Sequence, residues 1–156
     1  MLRLSLIPFV VLTACTGSLA PPAVPTGPAV APAATLNPSP PPPPPPSART
    51  VNDFDTTSDA DRAEAVTVSA TEAGDSLGTT LATLGAPTEP GIWLKTPLVT
   101  ALRPGRVIYE GRTINVELRP SGGDPGSGSQ ISLAAMRLLE APLTGILELE
   151  VIAVSG

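Results

Sequence analysis

Pro40 to Pro46 is an unbroken run of seven prolines, and it closes a stretch from Thr16 to Thr50 in which 13 of 35 residues are proline. Proline fixes φ and has no N–H to donate, so this stretch can enter neither a helix interior nor a sheet ladder. The other residues are mostly Ala, Ser, Thr, Gly and Val. Such a composition takes up polyproline II at ~3.1 Å per residue, a reach of up to ~110 Å when extended. Residues 15–50 therefore read as a disordered spacer, and the folded part must lie beyond it. Pro-rich tracts also dock on aromatic grooves, but no flanking pattern rises above composition, so a stiff spacer is the expectation.

Ahead of the spacer stands a short charged start, Met1-Leu2-Arg3, then an apolar run from Leu4 to Leu12 broken only by Ser5 and Pro8. The small residues Thr13 and Ala14 come next, and then Cys15, the only cysteine. A charged start, a short apolar run and small residues before a cut are the layout of a secretory signal. The run is far short of the ~20 residues that a spanning helix needs, so residues 1–14 read as a removable signal. Leu12-Thr13-Ala14-Cys15 resembles the lipobox of bacterial lipoproteins. That resemblance implies that cleavage precedes Cys15 and that the cysteine carries a three-chain lipid anchor. Several chains hold a membrane firmly where one does so only marginally. Thr16 stands where an aspartate would favour the inner membrane, so the resemblance points to a periplasm-facing anchor in the outer membrane. With one cysteine no intramolecular disulfide can form.

Composition changes near Val51. The 106 residues from there to Gly156 suffice for one small domain and not two. Phe54, Trp93 and Tyr109 are its only aromatics, so the core must come from Leu, Ile, Val and Ala. Residues 51–76 read as a loose segment containing one short helix, from Asp59 to about Ala65, started by Ser58 and Asp61. Residues 77–156 read as β-rich. Leu77, Thr79, Leu81 and Thr83 alternate as in a strand. Ile92-Trp93-Leu94 is a second candidate, and Pro97 confines the residues after it to an edge or a loop. Arg106–Tyr109 and Arg112–Leu118 form a hairpin about Glu110-Gly111, with Ile114, Val116 and Leu118 on one face. A glycine-rich loop runs from Ser121 to Ser129. Ser132 then caps a short helix with Leu133, Met136 and Leu139 inward, and Leu147, Leu149 and Val151 alternate with Glu148 and Glu150 in a last strand. The expected fold class is mainly β, a small α+β domain shaped as a compact β-barrel with one or two short helices.

The chain has no histidine. This removes the commonest general base and metal ligand and every serine–histidine arrangement. Thiol catalysis and zinc–thiolate sites go with the lipidated cysteine. Carboxylates remain, and glycan cleavage needs two of them ~5–9.5 Å apart. Glu110, Glu117 and Asp124 are the nearest candidates, but each reads as turn or surface polarity. The glycine loop lacks the lysine and the frame of a nucleotide cradle, though its N–H groups offer an anion site near the next helix. Lys95, Arg103, Arg106, Arg112 and Arg119 cluster within 25 positions of a chain of net charge −5. Such a cluster suits wall-peptide carboxylates or an acidic partner, whereas net charge and location argue against nucleic acid. The candidate binding residues are Trp93, Arg106, Arg112, Arg119, Gly128 and Ser129. No cofactor or metal site is expected.

The hairpin, Arg119-Pro120, the glycine turn, Ile131-Ser132-Leu133-Ala134-Ala135 and the last strand resemble the latter half of a rare lipoprotein A-type double-psi β-barrel. Members that cleave peptidoglycan carry acids where this chain has Leu118 and Ser132. The resemblance therefore implies the fold with a lost wall lytic transglycosylase site. Gly91-Ile92-Trp93-Leu94-Lys95-Thr96-Pro97-Leu98-Val99 and Gly128-Ser129-Gln130-Ile131 also resemble a family of small bacterial envelope lipoproteins, some labelled D-galactarate dehydratase. The sugar-acid dehydratases of that name are large metal enzymes, and this chain has room for neither their domain nor their ligands. The expectation is a non-catalytic, lipid-anchored envelope protein whose domain binds peptidoglycan or another envelope protein. The alternative is a divergent lytic transglycosylase.

Overall fold

Alternation along the chain makes the strands, and closure of the sheet decides which face each one buries. In a computed structural model that describes residues 40–67 and 74–154, there are six strands: β1 (Gly74–Leu84), β2 (Trp93–Thr96), β3 (Arg103–Tyr109), β4 (Arg112–Pro120), β5 (Ser129–Ile131) and β6 (Leu147–Val154). They close into a barrel in the order β1-β5-β2-β4-β3-β6. β1–β5 and β2–β4 are parallel, and the other neighbours are antiparallel. Each of these strands has a neighbour on both sides over part of its length, β1 meeting β5 only from Ala82 to Leu84. Helices α1 (Val51–Phe54) and α2 (Asp59–Val66) precede the barrel, and α3 (Leu133–Leu138) lies between β5 and β6. The mainly β, barrel-like class expected from the sequence is the one found. Lipobox residues Leu12, Thr13, Ala14 and Cys15 lie outside the described residues. Among the described residues no helix is long and apolar enough to cross a membrane.

The hairpin β3–β4 forms where alternation places it. Ile114, Val116 and Leu118 point into the barrel and are fully buried, joined by Val107, Leu149 and Val151. Glu110 and Gly111 both have positive φ, 47° and 81°, the signature of the tight primed turn that matches strand twist. β1 departs from its simple reading. A bulge between Ser76 and Gly78 shifts the register, and beyond it Thr80 and Ala82 face inward while Leu81 is 58% exposed. An extra residue in one strand reverses the inward set, because strand side chains alternate with period two.

α2 begins at the expected capping box, with the Ser58 hydroxyl taking Asp61 N–H. α1 is an addition to the expected elements. It has its own capping box, in which Thr50 Oγ1 accepts from Asp53 N while the Asp53 carboxylate accepts from Thr50 N and Arg49 N. Residues 51–67 are also fastened to the barrel. The Asp55 carboxylate is almost fully buried and takes both Arg62, at 3.0 Å, and Arg137 of α3, at 2.8 Å. Asn115 of β4 donates to the α2-end carbonyls of Glu64 and Thr67. The end of the proline run joins this body: Thr56 donates to Pro42 O, and Ala48 is buried. Pro41 and Pro44 are half-buried between exposed neighbours, as expected of a polyproline II helix resting one face in three on a surface.

Candidate functional site

β2, β4 and β5 meet side by side, and their register sets one row of outward side chains: Arg119, Lys95, Gln130, and then Thr83 of β1. Trp93 has the same outward parity as Lys95, two residues on, yet is fully buried. It lies outside the main core cluster. The loop between β1 and β2 folds over it. Gly85 leaves the space its indole occupies, since a Cβ there would come within 2.4 Å of the ring. Trp93 Nε1 donates to Glu89 O at 3.3 Å.

Charge closes the cover. Lys95 Nζ lies 4.9 Å and Arg119 Cζ 5.4 Å from the Trp93 ring centroid, within cation–π range. The Glu89 carboxylate takes both cations: Lys95 Nζ donates to Oε2, and Arg119 donates to Oε1 at 2.7 Å. Arg119 Nε also donates to Glu117. Two anions and two cations thus balance above one indole, each a quarter to a third exposed.

Next to this cap lies an open groove of about 490 Å³, lined by Lys95, Pro120, Ser121, Gly123, Ser127, Gly128 and Gln130. The glycine loop forms its far wall and is shaped by local bonds: Gly123 N donates to Ser121 Oγ, and Ser127 Oγ donates to Asp124 O. A second groove of about 280 Å³ lies across the loop, between Thr79, Leu81, Leu98, Ser127, Gly128 and Glu148.

The six candidate residues separate into distinct places. Arg119 sits in the charged cap. Trp93 lies beneath it and offers no open ring face for a sugar. Gly128 lines both grooves. Ser129 is buried, with its hydroxyl 2.7 Å from that of Thr80. Arg106 is buried on the α2 side, where its Nε donates to Asn115 Oδ1. Arg112 stands at the hairpin tip and pairs with Glu140. The basic cluster of the sequence is therefore dispersed around the barrel, and only Lys95 and Arg119 share a site. The anion reading of the glycine loop also changes, because β5 separates the loop from α3, whose first turn is capped by Ser132.

Leu118 is fully buried in the core. The Ser132 hydroxyl accepts from Trp93 N and Ala135 N and is likewise buried. Glu110 and Asp124 flank opposite ends of β4, which at ~3.3 Å per residue is roughly 25 Å or more of strand. That separation is too great for a paired-carboxylate site. Glu89 carries no local signal, because it sits between Thr88 and Pro90 in an apparent loop. Only the fold carries it to Lys95 and Arg119. Among the described residues no group of three His, Cys, Asp or Glu side chains is placed to hold a metal ion.

No family model, curated protein or solved structure matches this chain.

Proposed function

We propose that the mature protein is a lipid-anchored protein of the outer membrane, without catalytic activity, whose barrel binds peptidoglycan or another envelope protein in the groove beside Lys95. The observation that carries this reading is the lining of that groove. An ammonium, two hydroxyls and an exposed amide, from Lys95, Ser121, Ser127 and Gln130, offer donors and acceptors suited to a glycan or peptide. Position supports it as well. The lipobox-like Leu12-Thr13-Ala14-Cys15 supplies the anchor, and the part of the proline-rich stretch ahead of residue 40 supplies a reach of up to ~75 Å from the bilayer. Two parallel strand pairs within a six-stranded closed barrel support a double-psi arrangement. Burial of Leu118 and of Ser132, where family members that cleave the wall carry acids, supports a binding module over a lytic transglycosylase.

Sedimentation with purified sacculi tests the reading. The mature domain pellets with sacculi, a Gln130→Ala/Ser121→Ala variant pellets several-fold less, and no muropeptide is released. Muropeptide release that Glu117→Gln abolishes would establish the enzyme instead. The anchor is tested by mass. Native protein extracted from membranes lacks residues 1–14 and carries three acyl chains at Cys15, and Cys15→Ser leaves the membrane fraction.

A further inference from the structure

We propose that Lys95 and Arg119 form a carboxylate-binding site which Glu89 fills from within the chain, and that a peptide with a free carboxylate binds by displacing Glu89 and uncovering Trp93. This rests on the groove beside Lys95 being a ligand site.

Two cations converge on one indole and meet in one carboxylate. Lys95 belongs at once to this cap and to the lining of the groove, so the two adjoin through one side chain. Glu89 comes from the β1–β2 loop, not from the barrel wall. Its hold on the site is the two ion pairs, the Trp93 Nε1 bond to its carbonyl, and a turn in which its N–H donates to Ala86 O. Partly exposed ion pairs contribute little each, because solvent screens them and two long side chains must be ordered to form them. A tethered carboxylate competes at an effective concentration on the order of millimolar, which makes it a displaceable occupant and not a permanent one. With Glu89 gone, Lys95 has lost its partner and Arg119 keeps Glu117, leaving one net positive charge above the ring. A guanidinium and an ammonium side by side suit a carboxylate, with charge-assisted bonds about twice as strong as neutral ones. Loop departure also opens part of the indole to solvent, since the loop covers it together with Lys95 and Arg119.

Trp93 is the chain's only tryptophan, so its fluorescence reads the site directly. The probe is N-acetyl-dialanine with a free C-terminus, compared with its C-terminal amide and with sodium chloride at equal ionic strength. In the wild-type domain the acid shifts Trp93 emission to the red and saturates, while the amide and chloride do not. Glu89→Gln, with unchanged circular dichroism, binds the acid at least tenfold more tightly, and adding Lys95→Met removes the response. If Glu89→Gln does not fold, the wild-type comparison of acid, amide and chloride still decides. No response to the acid, or an equal response to the amide or to chloride, overturns the proposal. Sacculus binding with a silent Trp93 would sink this inference and leave the groove reading standing. A carboxylate response without sacculus binding would uphold this inference and remove peptidoglycan as the ligand of the groove.

Discussion

Single positions show where backbone geometry and side-chain identity disagree. Glu110 occupies a left-handed conformation with φ 47°, a region that favours Gly, Asn and Asp. Asn at this position fits the turn better, so Glu110→Asn raises stability by about 0.5–1 kcal/mol, read as a higher thermal midpoint with an unchanged barrel spectrum. Asp53 differs in kind. Backbone N–H bonds from Arg49 and then Thr50 hold its carboxyl below the usual value of 3.8, against a small opposing effect of burial. A depressed folded pKa means that the unfolded chain binds the proton more readily. Its contribution is therefore present above the unfolded value and fades as pH falls through the folded one. α1 loosens selectively below about pH 4, and exchange of the Asp53 and Phe54 amides in acid tracks it, while Asp53→Asn abolishes that dependence.

At the level of elements, one hydroxyl ties a helix to a strand. Ser132 caps α3 through Ala135 N and at the same time takes Trp93 N of β2. An ordinary cap lost to alanine costs ~1 kcal/mol. Here a second buried donor would be stranded as well, adding ~1–3 kcal/mol. Ser132→Ala should thus cost about 2–4 kcal/mol by urea denaturation, with Thr restoring part of it. α3 ends by a device that its sequence hides. Glu140 takes φ 53°, and the Glu140 and Ala141 N–H groups bond back to Arg137 O and Met136 O, the bonding of a Schellman motif with glutamate where glycine is usual. The helix therefore ends at Leu138, ahead of Pro142.

On the scale of the whole molecule, the barrel and the segment before it form one body through a few polar fastenings. Asp55 bridges Arg62 of α2 to Arg137 of α3, and Asn115 holds the end of α2. Hydrogen bonds to charged groups contribute ~1.5–3 kcal/mol, and both arginines stay about a third exposed, which lowers the figure. Asp55→Ala should release residues 40–67 and leave the barrel folded. Limited proteolysis then cuts within 40–67 in the variant and not in the parent. Loss of barrel structure in Asp55→Ala would show that the segment is needed for the fold itself.

Features that depend on neighbours along the chain could be read from the amino acids. Alternation in Ile114–Leu118 and Leu147–Val151 marked buried strand faces, Glu110-Gly111 marked a hairpin, and Ser58 and Ser132 marked helix starts. Each of these signals acts over two to four residues, within the range of backbone sterics and capping bonds. Tertiary structure alone decided the rest. A bulge after Ser76 reversed the faces of β1, closure spread the arginines around a cylinder, and a loop buried Trp93 on the outer side of β2. The candidate site depends on contacts between residues far apart in sequence, Glu89 with Arg119 and Lys95 beside Gln130. Such pairings come from strand order and register, which no local pattern specifies.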